Sequence, residues 1–383
     1  MRKKASLRDI ANKVGVSTAL VSYVLNNQDE EKRVGKEIAV RIREAAMALN
    51  YTPNQIARSL KTRKTNTIGI VVADINYRYT SGVTKAIEAA CRQFDYTVIY
   101  GSSGESAAKF ERLVNLLVDR QVDGLILVPV EGSAAAIERL NKQEIPFVLI
   151  DRILPDVNAN IISIDNARTA YQGAMQLARY GHKRIGFISY RSGLLNLADR
   201  KNGYLAALRE AGLEADPALI REIADRAEPA GGGVGEQDRA GLDARGFGEP
   251  VTVGAEVKGF GERVRGAIDE LLALPSPCDS IFFATDTLAV EGLRHINALN
   301  IRVPERLGIV SFDDSEAFEL FYCPITHGVQ PLEEIGRVAV DTLLDVMKHP
   351  KTRKKILLET EFKIGRSCGE GTDGLAARGL TIP

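Results

Sequence analysis

The stretch SLRDIANKVGVSTALVSYVLNN, residues 6–27, followed at a distance by PNQIARSL, residues 53–60, decides how this chain is read. Ser6 is a natural helix N-cap, and Asp9, three residues on, can reach back to the freed amides. Leu7, Ile10, Ala11 and Val14 then fall on one helical face. Gly15 ends that helix where a left-handed residue is needed, and Ser17 caps the next. In the second helix Leu20, Val21, Val24 and Leu25 face inward, leaving Thr18, Ala19, Ser22 and Tyr23 toward the outside. Two short capped helices across a tight glycine turn form a helix-turn-helix, with the second helix free to enter a DNA major groove. A third helix, around Lys36 to Leu49, carries Ile38, Ile42, Ala45, Ala46 and Leu49 to close a small core. The helices alone would also suit a small structural bundle, so the rest of the chain has to decide.

Charge is divided along the sequence. Residues 1–64 hold 14 Lys and Arg against 6 Asp and Glu, a net of +8, and the remainder holds 36 against 44, a net of −8. A basic first module on an acidic body is the electrostatic footprint of a DNA-binding headpiece joined to a separate sensing body. No apolar run approaches the roughly 18 to 20 residues needed to span a bilayer. The start MRKK leads straight into the capped helix, which is not the pattern of a signal peptide. Cys91, Cys278, Cys323 and Cys368 are scattered without metal-type spacing and read as buried reduced thiols. The expectation is a soluble cytoplasmic protein with no metal, cofactor or membrane contact.

From Thr67 the period changes. TIGIVVADI is a buried strand run, followed by a helix over Thr80 to Phe94, YTVIYG, a helix from Glu105 to Arg120, VDGLILVPV, a helix over Ala134 to Lys142, and PFVLIDR. The series repeats with RIGFISY, a helix over Asn202 to Glu210, SIFFATD, a helix over Leu288 to Leu299, and LGIVSFDD. Strand and helix alternate, so the fold class is α/β: a three-helix headpiece plus two doubly wound parallel-sheet lobes. Ligands of open α/β sheets sit at the carboxyl ends of strands, where Asp74, Asn76, Asp165, Tyr190, Asp286 and Asp313 fall. Four scattered histidines and no cofactor loop give no support to an enzyme.

Nearly the whole chain resembles the LacI-type transcriptional regulators. The motifs that carry the resemblance are LRDIANKVGVS, LNYTPNQIARSLKTRKTNTIGIVV, GHKRIGFI, FATDTLAVEGL, VPERLGIVSFDD and QPLEEIG. The resemblance implies a headpiece over 1–52, a hinge helix and linker over 53–66, a two-lobed effector-binding and dimerisation body of periplasmic-binding-protein type I over 67–368, and a loose tail over 369–383. It implies a homodimeric repressor of a pseudo-palindromic operator in double-stranded DNA, released or engaged by a small effector such as a sugar or sugar derivative. Base contacts would come from Thr18, Ala19 and Tyr23, and phosphate contacts from Ser17 and Asn26. The family usually carries Arg at Tyr23; Tyr cannot make the bidentate contact to guanine, so the base preference is not carried over.

Asn54 to Leu60 is too short to be helical alone and should fold on DNA. By resemblance Ala57, Arg58, Leu60 and Lys61 then meet the minor groove, Leu60 wedging between base pairs. Asp165, Arg200 and Asp286 occupy the positions that grip hydroxyl groups in sugar-responsive members, and helix capping is the plainer alternative for Asp165 and Asp286. Asp313, Asp314, His182 and His327 are expected to be structural. Thr285 and Ser311 depart from the family's usual Asn and Gly, which leaves the effector open. Ten Gly fall within residues 231–261, read as a mobile surface insertion beginning near Ala227, with regular structure resuming around Glu262. A nucleotide-binding glycine loop lacks its pattern there. A regulator controlled by a partner protein, with a vestigial cleft, is the nearest competing class; a periplasmic binding protein would have no headpiece.

Overall fold

The computed structural model describes residues 5–51, 64–155, 157–224 and 253–369, and the chain divides into a small unit, residues 1–65, and a large one, residues 66–383. In the small unit α1 (Leu7–Val14) begins with a reciprocal cap. Ser6 Oγ accepts from the Asp9 amide at 3.3 Å, and Asp9 Oδ2 accepts from the Ser6 amide at 2.8 Å. Gly15 takes φ +77° and its N–H closes onto the Ala11 carbonyl. Gly15→Ala is expected to destabilise this unit by about 1 kcal/mol, because L side chains rarely adopt that φ although open space surrounds it. Denaturant unfolding followed by helix signal checks it.

Helices α2 (Thr18–Leu25) and α3 (Lys36–Ala48) complete the small unit. Its core is Ile10, Ala11, Val21, Val24, Ala39, Ile42, Ala45 and Ala46, with Leu20, Leu25 and Leu49 packed around it. Ile38 departs from expectation. It is 36% exposed, and Ala39, three residues before Ile42, takes the inward place. Arg41 Nη2 donates to the Val14 carbonyl at 3.3 Å, satisfying a free end of α1. The expected hinge helix lies outside the described residues.

The large unit holds two six-stranded sheets. Strands β1 (Thr67–Val72), β2 (Thr97–Ser102), β3 (Gly124–Leu127), β4 (Phe147–Ile150), β5 (Ile161–Ile164) and β11 (Lys355–Leu358) form the first, in the order β11-β5-β4-β3-β1-β2, all parallel. Strands β6 (Ile185–Tyr190), β7 (Ile220–Ile223), β8 (Ser280–Phe283), β9 (Gly308–Ser311), β10 (Thr326–Val329) and β12 (Glu361–Lys363) form the second, in the order β12-β10-β9-β8-β6-β7, with only β12 antiparallel. Central strands such as β3, β4, β8 and β9 are buried along their whole length, which is why they read as unbroken apolar runs. Helices α4 (Arg78–Arg92), α5 (Ala107–Asp119) and α6 (Ala134–Lys142) belong to the first lobe; α7 (Asn166–Arg179), α8 (Leu195–Glu210), α9 (Val253–Leu272), α10 (Asp286–Ala298) and the short α11 (Ala317–Leu320) belong to the second.

The two lobes are not consecutive in sequence. After β10 the chain returns to the first lobe as α12 (Leu332–Lys348), which packs on α4 and β4, and as β11, before β12 closes the second sheet. The chain thus changes lobe three times, near Asp165, Gln330 and Glu359. Regular structure after the glycine-rich segment begins at Val253, not around Glu262. Phe260, Val264, Ala267, Ile268 and Leu271 give α9 an apolar face at helical spacing, and that face packs into the second lobe's core. The preceding residues 225–252 lie outside the described residues, as does the tail beyond Gly369. All four cysteines are buried and unpaired, and burial pushes Cys91 and Cys278 up to about 11 and Cys368 to about 12. No helix among the described residues is long and apolar enough to cross a membrane.

Candidate functional site

Two places carry chemistry, one in each unit. On α2 the first turn is open to solvent. Ser17, Thr18 and Ala19 are exposed, and Tyr23, one turn on, is half-buried. Ser17 Oγ accepts from the Leu20 amide at 3.2 Å, a cap that leaves its own O–H able to donate to a phosphate. Asn26 ends α2, its Nδ2 donating to the Ser22 carbonyl at 2.7 Å and to Ser22 Oγ at 3.3 Å. Ala57, Arg58, Leu60 and Lys61 lie outside the described residues.

In the large unit a cavity of about 380 Å³ opens between the carboxyl ends of the two sheets. The first lobe gives Tyr77 and Tyr79 after β1, Glu105 after β2, Glu131 after β3, and Asp151 and Arg152 after β4. The second gives Tyr190 to Ser192 after β6, Asn196 and Arg200 from α8, Thr285 to Thr287 after β8, Asp313 after β9 and Gln330 after β10. Of the strand-end and cleft residues singled out from sequence, Tyr190, Arg200, Asp286 and Asp313 line it.

Asp74, Asn76 and Asp165 do not line it. Asp74 Oδ1 accepts from both nitrogens of Asn76 at 2.9 Å, in a turn at the end of β1 whose Ile75 amide donates to Ser102 Oγ at 3.2 Å. Asp165 caps α7, its Oδ1 accepting from the Arg168 amide at 2.9 Å, so the plainer alternative describes its carboxylate. Its neighbour Asn166 acts on the site instead, by accepting from Arg200 Nε at 2.9 Å.

Arg200 is the fixed point of the cavity. Only 3% exposed, it donates from Nη1 to the Ala284 carbonyl at 2.7 Å and to Asp313 Oδ2 at 3.2 Å. Its guanidinium carbon lies 3.5 Å from the Phe312 ring centroid. Asp313, expected to be only structural, faces the cavity, and its Oδ1 accepts from Gln330 Nε2 at 2.7 Å. Across the cleft Arg152 forms a fork on Glu105, Nη1 to Oε2 at 2.7 Å and Nη2 to Oε1 at 2.6 Å. Asp314 is not confined to its own turn either. It accepts from Arg78 Nη2, on the first lobe, at 3.2 Å. Glu131 Oε2 likewise accepts from the Gly193 amide at 3.3 Å on the second lobe. His182 Nε2 donates to the Cys368 carbonyl at 2.9 Å, and His327 Nδ1 donates to that of Ile325 at 2.8 Å, both ties within the second lobe.

Thr285 caps α10, which frees Asp286 for the cleft. Burial, and then the Asp313 charge, push its carboxyl up to about 7. Burial also raises the Asp151 carboxyl and lifts Tyr79 well above the usual phenol. In the folded chain Asp286 holds its proton between 3.8 and about 7, where the unfolded chain has lost it. Stability from this group is therefore full below 3.8 and falls as pH rises through about 7. Asp286→Asn is expected to raise the melting temperature above that pH and to flatten its decline with pH; thermal unfolding across the window checks it.

Asp151, Arg152, Glu105 and Gln330 were missed. The strand-end rule already applied to VLIDR, and Gln330 opens the quoted motif QPLEEIG, so the signal was present for three of them.

The comparisons with known proteins cover most of the chain. The family model described as bacterial regulatory proteins, lacI family, matches residues 6–54. Models of a periplasmic binding protein domain and a periplasmic binding protein-like domain match residues 68–234 and 174–368. The chain is 29% identical to the ribose operon repressor of Haemophilus influenzae over 92% of its own length and 95% of the relative's. It is 29% identical to the transcriptional repressor CytR of Escherichia coli over 90% of each. Among solved structures, the transcriptional regulator CelR–cellobiose complex aligns with a TM-score of 0.65 at 25% identity, over 95% of this chain and 99% of that one. The lac repressor dimer bound to operator and the anti-inducer ONPF shares the fold, with a TM-score of 0.78 at 20% identity over 96% of this chain and 100% of that one.

Proposed function

This chain belongs to the lacI family of bacterial regulatory proteins, and from that membership we propose that it is a repressor whose operator affinity is set by a small sugar-like effector in the cleft. The observation that carries the effector reading is a cavity walled by both lobes around one immobilised guanidinium, Arg200. A fixed donor fork beside carboxylates suits vicinal hydroxyls. The cellobiose held by the similar CelR regulator agrees with that chemistry.

For DNA, the exposed first turn of α2 supports a recognition helix, with Thr18, Ala19 and Tyr23 toward bases and Ser17 and Asn26 toward phosphates. Residues 53–66 act as the hinge, Ala57, Arg58, Leu60 and Lys61 engaging the minor groove, and the body over 67–368 pairs two chains so that two headpieces address two half-sites. Ligand binding changes lobe closure, across which Arg78–Asp314 and Glu131–Gly193 already join the lobes. The effector controls the operator only to the extent that it binds the two closure states with different affinity.

The test is selection from a palindrome library at two salt concentrations with a panel of sugars. A symmetric site, bound more weakly at high salt and shifted by one sugar, is expected. In the same assay Asp286→Ala should keep operator binding and weaken the sugar response about 10- to 100-fold. Selective DNA binding that no sugar alters would replace this reading by control through a partner protein.

A further inference from the structure

The cleft has an unbalanced charge inventory. Of its described lining residues five carry carboxylates and three carry guanidiniums. Arg152 is committed to Glu105 through both terminal nitrogens, and Arg200 to Asn166, Ala284 and Asp313. Arg191 is exposed at the rim. Asp286 and Asp151 are held less closely: Asp286 accepts from the Thr287 amide and from Thr287 Oγ1 at 3.4 Å, and the guanidinium nitrogen paired with Asp151 is 3.7 Å away, beyond hydrogen-bond reach. A second observation points the same way. Among the described residues five buried side-chain polar atoms lack a hydrogen-bond partner, and three of them, Tyr79 OH, Asn196 Oδ1 and Arg152 Nε, belong to this cavity. The walls therefore leave an acceptor (Asn196 Oδ1), a donor (Arg152 Nε) and a phenol that can be either (Tyr79 OH) unsatisfied together, a mixed set that hydroxyl groups, which both donate and accept, can answer.

We propose that the cleft selects an uncharged polyol, bound by its hydroxyl donors to Asp286, Asp151 and Asn196, and rejects the phosphorylated and carboxylated derivatives of that same polyol. The proposal rests on the reading of the cleft as an effector site. A neutral hydroxyl donates to a carboxylate and ends its isolation. A phosphate or carboxylate in the same place brings negative charge into a partly dry space where burial and the Asp313 charge already keep the Asp286 carboxyl from ionising below about 7, and the two buried guanidiniums that could answer it are already shared with Glu105 and Asp313.

Calorimetric titration of the full chain with neutral mono- and disaccharides identifies the tightest polyol. Its phosphate ester, its uronate and its amino derivative are then titrated at equal ionic strength. The anionic derivatives are expected to bind at least about 100-fold more weakly, and the amino derivative at least as tightly as the parent. Raising salt should narrow the gap by screening the repulsion. Asp286→Asn combined with Asp313→Asn should narrow it about tenfold or more, a ratio that a general loss of folding would not move. If that double variant does not fold, the salt dependence of the wild-type chain still decides. Anionic derivatives binding as tightly as the neutral parent overturn the proposal and leave the sensor reading standing. Operator binding with no polyol bound at all overturns both.

Discussion

Arg200→Ala is expected to lower the stability of the large unit by about 3–5 kcal/mol, the range for removing one partner of a buried ion pair. The cost comes from what the guanidinium leaves behind. Asp313 keeps Gln330 as a donor but loses the guanidinium, the Ala284 carbonyl and Asn166 Oδ1 each lose a donor, and the Phe312 ring loses its cation. Arg200 also draws the Asp286 proton equilibrium downward, so its removal leaves that acid still harder to ionise. Arg200→Met separates packing from charge, because it keeps an unbranched stem over Phe312 but strands the same polar groups. Adding Asp313→Asn to Arg200→Met should recover part of the loss. Urea unfolding of the three variants measures this. A loss under about 1 kcal/mol for Arg200→Ala would mean that solvent screens the pair and that Arg200 is no anchor.

Gly203→Ala should be nearly as damaging, at more than about 3 kcal/mol, from a single methyl group. Gly203 lies where α8 crosses α7, the most extensive helix contact among the described residues, and a Cβ there would collide with the Ala167 carbonyl oxygen and sit 2.8 Å from its carbon. The obstacle is backbone, which no rotamer can move aside, so the helices must part. Ala167 follows Asn166 and Gly203 is one turn from Arg200, so parting them stretches the 2.9 Å bond that aims the guanidinium. Loss of ligand affinity is therefore expected without any change to a residue of the cleft. Gly266→Ala on α9, with nothing within 4 Å of its added methyl, is the control and should leave the melting temperature unchanged or raised. Thermal unfolding of both variants distinguishes steric separation from a general intolerance of helix substitution.

The local signals were the legible ones. The Ser6–Asp9 cap, the left-handed Gly15 and the Ser17 cap each act within four residues, and each stands in the structure as the spacing implies. The central parallel strands were legible because burial on both faces leaves no polar alternation. What local pattern cannot carry is which strand end turns toward the cleft. Asp165 and Asp286 look alike in sequence, both acids between a strand and a helix. Asp165 is itself the cap of α7, whereas Thr285 caps α10 and leaves Asp286 free to face Asp313. Gly254, Gly259 and Gly261 misdirected the start of α9, since the apolar face that holds the helix lies farther on, from Phe260 to Leu271. The missed fork of Arg152 on Glu105 joins residues separated by 47 positions, a distance that periodicity does not report.

The threefold passage between lobes has a consequence for how the polypeptide is made. The ribosome releases the headpiece core complete by Tyr51, yet the first lobe, begun at Thr67, stays unfinished until β11 emerges at Lys355–Leu358. Until then β5 has an open edge, and α4 waits for the helix that covers it until Lys348 has been made. Both sheets receive their last strand within residues 355–363, so the order of synthesis delays the sensor far behind the DNA-binding module. A premature stop before that segment yields a chain with an intact headpiece and two open sheets, a species prone to aggregate rather than one that is merely deaf to its ligand.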